Sequence, residues 1–268
     1  MDAIKQITLT LLTTLLPFTL TAAVEDFMIS PLELPSAEIA GDPMGALPRL
    51  EHDSYDWYKR HALICHTLSE SEPEILLLGD SITHFWGPHN DGTPQRGLNA
   101  WEKTFSNYKV LNAGFGWDRV QNLRWRLENG EAPKKDPKLI ILHIGTNNSS
   151  QTKNARQSTP EETAKAIYML TEELLQRYPS TRILLFEIFP RDAKNSPTRQ
   201  WIDATNKYFD KLPLDSRVTL ISLYHVLTQP DGERIPSAYA DRVHLSDKGY
   251  DIWARAIQRH LPPKKSIK

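Results

Sequence analysis

The sequence predicts an α/β fold built on a mostly parallel sheet, and three observations lead to that prediction. Short, continuously apolar runs are typical of strands that are buried on both faces of a parallel sheet. These runs are Ile75–Leu78, Val110–Leu111, Leu139–Ile144, Ile183–Phe189 and Val218–Leu223. Helical patterns lie between the runs, as they do in chains that alternate strand and helix. No linker or internal repeat interrupts residues 70–261, which favours one domain.

The earlier helical patterns follow from apolar spacing and from a terminal glycine. Residues 54–69 place Trp57 and Ile64 among polar residues in a pattern that suits a helix. The segment Val120–Glu128 runs up to Gly130, and glycine is the residue most often found just past a helix end. A helix is therefore predicted before the first strand and another after the second.

The later helical patterns carry a clear start signal. Thr159 can cap a helix, Pro160 suits the first helical position and Glu162 completes a capping box. Residues 247–260 then repeat apolar side chains on one helical face. We therefore expect a long helix after the third strand and a final helix at the end of the domain.

The first residues have the layout of a secretory signal. Residues 7–20 are apolar and uncharged, and small residues ending at Ala23 follow them. This run is shorter than the roughly 20 residues that span a bilayer. We predict a signal peptide over residues 1–23, an irregular segment over 24–50 and a single domain over 51–268. The mature protein is then expected to be secreted or periplasmic, without stable membrane insertion.

Composition excludes several classes of function. Lys and Arg total 32 against 33 Asp and Glu, a net charge of -1, and no basic stripe is visible. Nucleic-acid binding is therefore not expected. The single cysteine, Cys65, excludes an intramolecular disulfide and a multi-cysteine zinc site. We predict no metal and no cofactor, and a small-molecule or carbohydrate ester as the partner. The oligomeric state is not specified by these observations.

Chemically useful residues follow the predicted strands, where sites form in such sheets. The four segments are Gly79–Ser81, Asn112–Asp118, Gly145–Asn148 and, before the last helix, Asp241–His244. Each segment alone is a weak signal, since short turns of this kind are common. Their occurrence together, in this order and after apolar runs, indicates the parts of an acyl-transfer site.

The residue types suggest a role for each part. A serine hydroxyl such as that of Ser81 attacks well only when a base takes its proton. His244 can be that base, and Asp241 can bond its other ring nitrogen and fix the tautomer. Backbone N–H groups at Ser81 and in the Gly116–Trp117 turn, with the Asn147 amide, can stabilise an oxyanion.

These motifs together resemble the SGNH hydrolases, also called the GDSL lipase/esterase family, over residues 72–261. The segment Arg126–Glu131 and Phe189–Arg191 further resemble the branch that contains platelet-activating-factor acetylhydrolase catalytic subunits. The resemblance implies a flavodoxin-like three-layer α/β/α sandwich with a five-stranded sheet. It also implies that Ser81 is the nucleophile, His244 the base and Asp241 its orienting acid.

One position departs from the family pattern. Most members have a glycine directly before the aspartate of the glycine block, and Trp117 stands there in this chain. A backbone N–H needs no particular side chain, so Trp117 stays the candidate oxyanion donor. Tryptophan lacks the freedom of glycine at positive φ. If the turn requires that conformation, we expect Gly116 or a shifted backbone to serve instead.

Five further residues are candidates for supporting the pocket or its loops. They are Asp80, His84, Gly116, Asn148 and Arg191. Asp80 and Asn148 suit hydrogen bonds within their loops. His84 is a rival base or a lining residue, and Arg191 can contact an anionic group or pair with an acid.

The leading hypothesis is therefore a serine esterase that removes short acyl groups, acetyl above all, from carbohydrates through an acyl-enzyme. Acyl esters of small phospholipids are the alternative substrate within this class. A non-catalytic binding protein on the same fold is a second class. A flavodoxin-like nucleotide or flavin binder is a third, which the bulky residues after Ser81 disfavour.

Overall fold

Five short strands form one sheet in which every pairing is parallel. The strands are β1 (Ile75–Gly79), β2 (Val110–Gly114), β3 (Leu139–His143), β4 (Arg182–Phe186) and β5 (Val218–Ile221). Their order across the sheet is β2-β1-β3-β4-β5. This computed structural model describes residues 34–263, so the predicted signal peptide over residues 1–23 lies outside the described residues. The predicted α/β fold is confirmed, and its sheet is wholly parallel.

Strand β2 is longer than the apolar run that predicted it. The second run was predicted to end at Leu111, yet β2 continues to Gly114 because Asn112 pairs with Leu77 of β1. A polar residue at the end of an edge strand is missed by a search for apolar runs. The extension brings the glycine-rich turn directly to the end of the sheet.

Nine α-helices lie within residues 34–263. They are α1 (Ala37–Ala40), α2 (Trp57–Glu70), α3 (Ser81–His84), α4 (Leu98–Phe105), α5 (Val120–Glu128), α6 (Pro160–Arg177), α7 (Pro197–Phe209), α8 (Tyr224–Leu227) and α9 (Asp247–Gln258). The capping box at α6 forms as predicted: the Thr159 hydroxyl accepts the Glu162 N–H at 3.2 Å, and Glu162 accepts the Thr159 N–H at 2.7 Å. Helices α1, α4, α7 and α8 were not predicted.

The core lies in two layers, one on each face of the sheet. Alternate strand residues face opposite sides, so Leu76 and Ile140 pack under α2, α5, α6 and α7. Their neighbours Ile75 and Leu139 pack under α3, α4 and α9. Both faces of the central strands are therefore buried, and the architecture is the expected three-layer α/β/α sandwich.

Residues 34–50 contain α1 and otherwise no regular element. They are nevertheless bound to the sheet domain, because the Leu47 N–H donates to the Gln121 carbonyl at 3.1 Å and the Asn122 amide donates to the Pro48 carbonyl at 2.7 Å. Among the helices that the structure describes, none combines the length and the apolar character needed to cross a membrane.

Two strand-end glycines allow α3 to lie directly on the sheet. A Cβ atom at Gly79 would come within 2.1 Å of the Thr83 hydroxyl and 2.3 Å of the His143 carbonyl. A Cβ atom at Gly114 would come within 2.3 Å of the His84 backbone nitrogen. Only glycine permits these approaches, so the position of α3 is set by the ends of β1 and β2.

Candidate active site

Ser81 is the first residue of α3, at the carboxyl end of β1. Asp80 precedes it as the helix cap, and its carboxylate accepts the Ile82 N–H at 3.0 Å. The Ser81 side chain is almost buried, with 6% of the residue exposed. Because Ser81 is the first residue of α3, its N–H points out of the start of the helix and away from it. No residue of the described part accepts a hydrogen bond from this N–H.

Ser81, His244 and Asp241 form one continuous hydrogen-bonded chain. The His244 Nε2 atom lies 2.9 Å from the Ser81 hydroxyl. Its Nδ1 atom lies 2.8 Å from the Asp241 carboxylate. The second oxygen of that carboxylate accepts the backbone N–H groups of Val243 and His244, both at 2.7 Å. The arrangement can deprotonate a serine and stabilise the imidazolium that results.

The surroundings set the charge of both partners. Burial opposes ionisation of Asp241, but its backbone hydrogen bonds and His244 outweigh burial and lower its pKa to about 2. Burial lowers the pKa of His244 below its ordinary 6.5. Asp241 acts to raise this pKa, and the charges of Arg96 and Arg191 act, like burial, to lower it. At neutral pH the imidazole is therefore a neutral base held by a charged carboxylate.

The Phe115–Asp118 turn follows β2 and contains the departure from the family pattern. Trp117 itself adopts a positive φ of 64°. Gly116 has no positive φ, so Trp117 itself supplies the conformation that a glycine would favour and stays the candidate donor. The Asp118 N–H donates to the Phe115 carbonyl at 3.2 Å and closes the turn. The Trp117 N–H has no partner within residues 34–263, and 41% of Trp117 is exposed.

Side chains hold both peptide groups that flank Gly116. The Gly116 N–H donates to the His84 Nδ1 atom at 3.2 Å, and the Tyr55 hydroxyl donates to the Gly116 carbonyl at 3.1 Å. The His84 Nε2 atom lies 2.7 Å from the Asp91 carboxylate. Burial lowers the pKa of His84 to about 3, so the ring is neutral and its proton lies between Nε2 and Asp91. His84 lies away from the Ser81 hydroxyl and supports the Phe115–Asp118 turn.

A buried charge network holds the far end of the same turn. The Asp118 carboxylate accepts the Trp57 indole N–H at 2.7 Å and the Arg126 Nε–H at 2.7 Å. Arg126 also pairs with Glu131, whose other carboxylate oxygen lies 2.7 Å from the His61 Nδ1 atom. Burial raises the pKa of Asp118 to about 6 while Arg126 acts against it.

The two asparagines of the third loop have different surroundings. The Asn147 amide donates to the Asp118 carbonyl at 3.0 Å, which uses one of its two hydrogens and leaves the other for a ligand. Asn148 is fully buried and accepts the Val120 N–H at 3.1 Å. Its amide group donates to Ser158 at 3.1 Å. Asn148 therefore connects the third loop to α5.

The remaining supporting candidates occupy polar positions beside the site. Burial raises the pKa of Asp80 to about 7, and the oxygen that does not cap α3 has no hydrogen-bond partner among the described residues. Arg191 pairs with Asp192 at 2.9 Å and reaches the Thr146 hydroxyl at 3.5 Å. Arg191 is thus an ion-paired residue next to the loop that carries Asn147.

One cluster in the described chain has the donor types of a metal site. The ligand atoms of His84, His89 and Asp91 lie within 4.8 Å of one another. The Arg60 guanidinium lies 2.9 Å from the same Asp91 oxygen that His84 contacts. The positive charge of Arg60 would repel a cation bound at this position. The hydrogen bonds that Asp91 makes are enough to explain why these three side chains lie close together.

Sequence reasoning missed the residues that hold the Phe115–Asp118 turn from a distance. Tyr55 lies 61 residues before its partner Gly116, and Asp91 follows no predicted strand. Arg126 and Glu131 stood in a recognised motif, but the contact of Arg126 with Asp118 and that of Glu131 with Arg126 had no local signal. A motif search finds residues that react, whereas these residues act through the backbone.

Comparisons with known proteins agree with this geometry. The family model of the GDSL-like lipase/acylhydrolase family matches residues 77–252. Platelet-activating factor acetylhydrolase IB subunit alpha2 from Rattus norvegicus is 28% identical over 195 residues, which cover 72% of this chain and 78% of the relative. Subunit alpha1 from Pongo abelii is 29% identical over 206 residues, covering 76% and 82%.

Solved structures share the fold. A GDSL-like lipase from Bacteroides thetaiotaomicron superposes with a TM-score of 0.58 at 18% identity, covering 76% of this chain and 98% of the other. An acetylxylan esterase from Geobacillus stearothermophilus superposes with a TM-score of 0.55 at 21% identity, covering 69% and 92%. At these sequence identities, the structural similarity shows a shared fold and nothing more.

Proposed function

The chain belongs to the GDSL-like lipase/acylhydrolase family and is a carboxylic ester hydrolase, and from that premise we propose that it removes short acyl groups, acetyl above all, through a covalent intermediate on Ser81. The observation that carries the proposal is the continuous chain from the Ser81 hydroxyl through His244 to Asp241, with distances of 2.9 Å and 2.8 Å.

In the first half-reaction the Ser81 oxygen attacks the ester carbonyl carbon while His244 Nε2 takes the hydroxyl proton. The negative charge that forms on the carbonyl oxygen is stabilised by the N–H groups of Ser81 and Trp117 and by the free hydrogen of the Asn147 amide. Each such donor is worth roughly 10²–10³ in turnover. His244 then gives its proton to the leaving alcohol as the carbon–oxygen bond breaks.

In the second half-reaction water attacks the acyl group on Ser81. His244 takes the proton of the water, and the acid leaves when the proton returns to Ser81. The ionised Asp241 stabilises the imidazolium in both halves and keeps Nδ1 protonated, so that Nε2 is the basic nitrogen throughout.

The acetyl group is proposed because the named relatives share it. The relatives are subunits of platelet-activating factor acetylhydrolases, and one structural neighbour is an acetylxylan esterase. The exposed Trp117 ring beside the Phe115–Asp118 turn favours a carbohydrate as the alcohol, since sugar faces pack against exposed aromatic rings. The sequence similarity to the acetylhydrolases supports a small phospholipid ester as the second candidate.

The test is hydrolysis of 4-nitrophenyl acetate, butyrate and octanoate by the wild type and by Ser81→Ala. We expect activity on the acetate to fall with chain length and to drop by roughly 10⁴-fold or more in Ser81→Ala. Ser106→Ala is the matched control, because Ser106 is exposed at the end of α4. A fully active Ser81→Ala variant with an unchanged melting temperature would exclude the mechanism. Greater activity on octanoate would exclude the short-acyl preference.

A further inference from the structure

The Phe115–Asp118 turn holds its third residue in a conformation that tryptophan avoids. Trp117 has a φ of 64°, Gly116 has no positive φ, and the Asp118 N–H bonds the Phe115 carbonyl at 3.2 Å. A four-residue turn closed in this way with positive φ at its third position has the pattern of a type II turn. Glycine or asparagine is the residue that such a position favours.

The related type I turn would cost Trp117 no strain. Types I and II differ chiefly in the orientation of the central peptide group, which here joins the Gly116 carbonyl to the Trp117 N–H. In a trans peptide these two groups point in opposite directions. A flip to type I would therefore reverse the Trp117 N–H and give Trp117 an ordinary negative φ.

One side chain holds the central peptide in its strained orientation. The Tyr55 hydroxyl donates to the Gly116 carbonyl at 3.1 Å from a position that is 7% exposed. Burial raises the pKa of Tyr55 well above its usual 10, so the hydroxyl stays a donor at every usable pH. The carbonyl that Tyr55 bonds and the Trp117 N–H belong to the same peptide plane, so the contact also fixes where that N–H points.

The neighbouring contacts do not replace Tyr55. His84 bonds the Gly116 N–H, which belongs to the preceding peptide group, and Asn147 bonds the Asp118 carbonyl, which belongs to the Asp118–Arg119 peptide group at the end of the turn. Both contacts hold the ends of the turn and leave the central peptide free to rotate. Among the described residues, Tyr55 is the side chain that bonds the central carbonyl.

We propose that Tyr55 is a positioning residue for the esterase reaction: its hydroxyl holds the Gly116–Trp117 peptide in the orientation that presents the Trp117 N–H to the oxyanion. The inference rests on the proposed function, because it assigns the N–H a role in that reaction. It explains how a tryptophan serves at a position where glycine is usual. Tyr55 supplies from outside the turn the preference that glycine would have provided within it.

The test is a double-mutant cycle on Tyr55→Phe and Trp117→Gly with 4-nitrophenyl acetate as substrate. Tyr55→Phe removes one oxygen atom, so the peptide can relax to type I. We expect kcat to fall by roughly a hundredfold, the lower end of the range for loss of one oxyanion donor, with KM nearly unchanged. In the Trp117→Gly background the same Tyr55→Phe change is expected to cost no more than about threefold, because glycine accepts positive φ without strain.

Trp117→Asn provides an independent arm, since asparagine tolerates the left-handed region better than tryptophan. It should also reduce the cost of Tyr55→Phe. Tyr58→Phe is the matched control, because Tyr58 is exposed on α2. Thermal unfolding of every variant reports whether the fold is retained.

Two results would overturn the inference while leaving the proposed function intact. One is a Tyr55→Phe enzyme with unchanged kcat. The other is an equal loss from Tyr55→Phe in the tryptophan and glycine backgrounds, which would indicate a general packing role. A wild type without Ser81-dependent activity would instead overturn the proposed function, and this inference with it.

Discussion

Replacing Gly114 with alanine should damage catalysis by moving α3 relative to the rest of the site. The new Cβ atom would lie 2.3 Å from the His84 backbone nitrogen and 2.7 Å from the Thr83 backbone carbon. Backbone atoms cannot rotate aside as a side chain can. Restoring an ordinary contact of 3.4 Å requires about 1.1 Å of movement, either of α3 or of the end of β2.

Either movement separates groups that must meet. A shift of α3 takes Ser81 away from His244, and a shift of β2 moves the Phe115–Asp118 turn. A misplacement of about 1 Å can cost on the order of 10²-fold in rate. Overpacking of this kind also costs about 1–3 kcal/mol of stability, or a fall of roughly 2–10 °C in melting temperature for a domain of this size.

The assay is steady-state hydrolysis of 4-nitrophenyl acetate together with calorimetric unfolding. Gly45→Ala is the matched control, because a Cβ atom there would meet only the Asp42 carbonyl at 3.8 Å and Gly45 has no positive φ. The control should keep wild-type activity and stability. A Gly114→Ala enzyme with kcat/KM within threefold of the wild type and an unchanged melting temperature would refute the reasoning.

Two further predictions concern the histidines. His244 must be neutral to accept a proton, and its pKa lies below the ordinary 6.5. The value of kcat/KM should therefore fall on acidification with a midpoint below pH 6.5. A pH–rate profile with an acid midpoint above pH 6.5 would contradict this prediction. His244→Ala should lose at least roughly 10³-fold in kcat. His84→Ala removes the acceptor of the Gly116 N–H and the partner of Asp91, but His84 takes no part in proton transfer, so this variant should lose on the order of tenfold. The measurement is kcat of the two variants under the same conditions. A greater loss in His84→Ala than in His244→Ala would make His84 the base.

The reactive residues of the site were predictable because strand ends converge. Ser81 and Asn147 follow apolar strands directly, so the rule that parallel strands meet at their carboxyl ends places them together. The Asp241–His244 segment precedes a strongly periodic helix and was found on that ground. A role that depends on sheet topology and residue type can thus be inferred from local pattern.

The remaining features depend on contacts between distant residues. The positive φ of Trp117 contradicts its intrinsic preference and persists beside Tyr55, which is 61 residues away from Gly116. Helix α4 begins at Gly97 in a left-handed conformation without a side-chain cap, so it has no local start signal. Helix α7 did carry one, since Ser196 caps it and Pro197 opens it, so its start could have been predicted from the sequence.

The hydrogen bond between Ser81 and His244 joins residues that are 163 positions apart in the chain. Every strand pairing of the sheet is parallel and therefore non-local, which is the kind of contact that makes folding slow. The bond requires the end of β1 and the segment before α9 to be in place together. Recovery of esterase activity during refolding is therefore expected to lag behind the far-ultraviolet circular dichroism signal, which reports secondary structure.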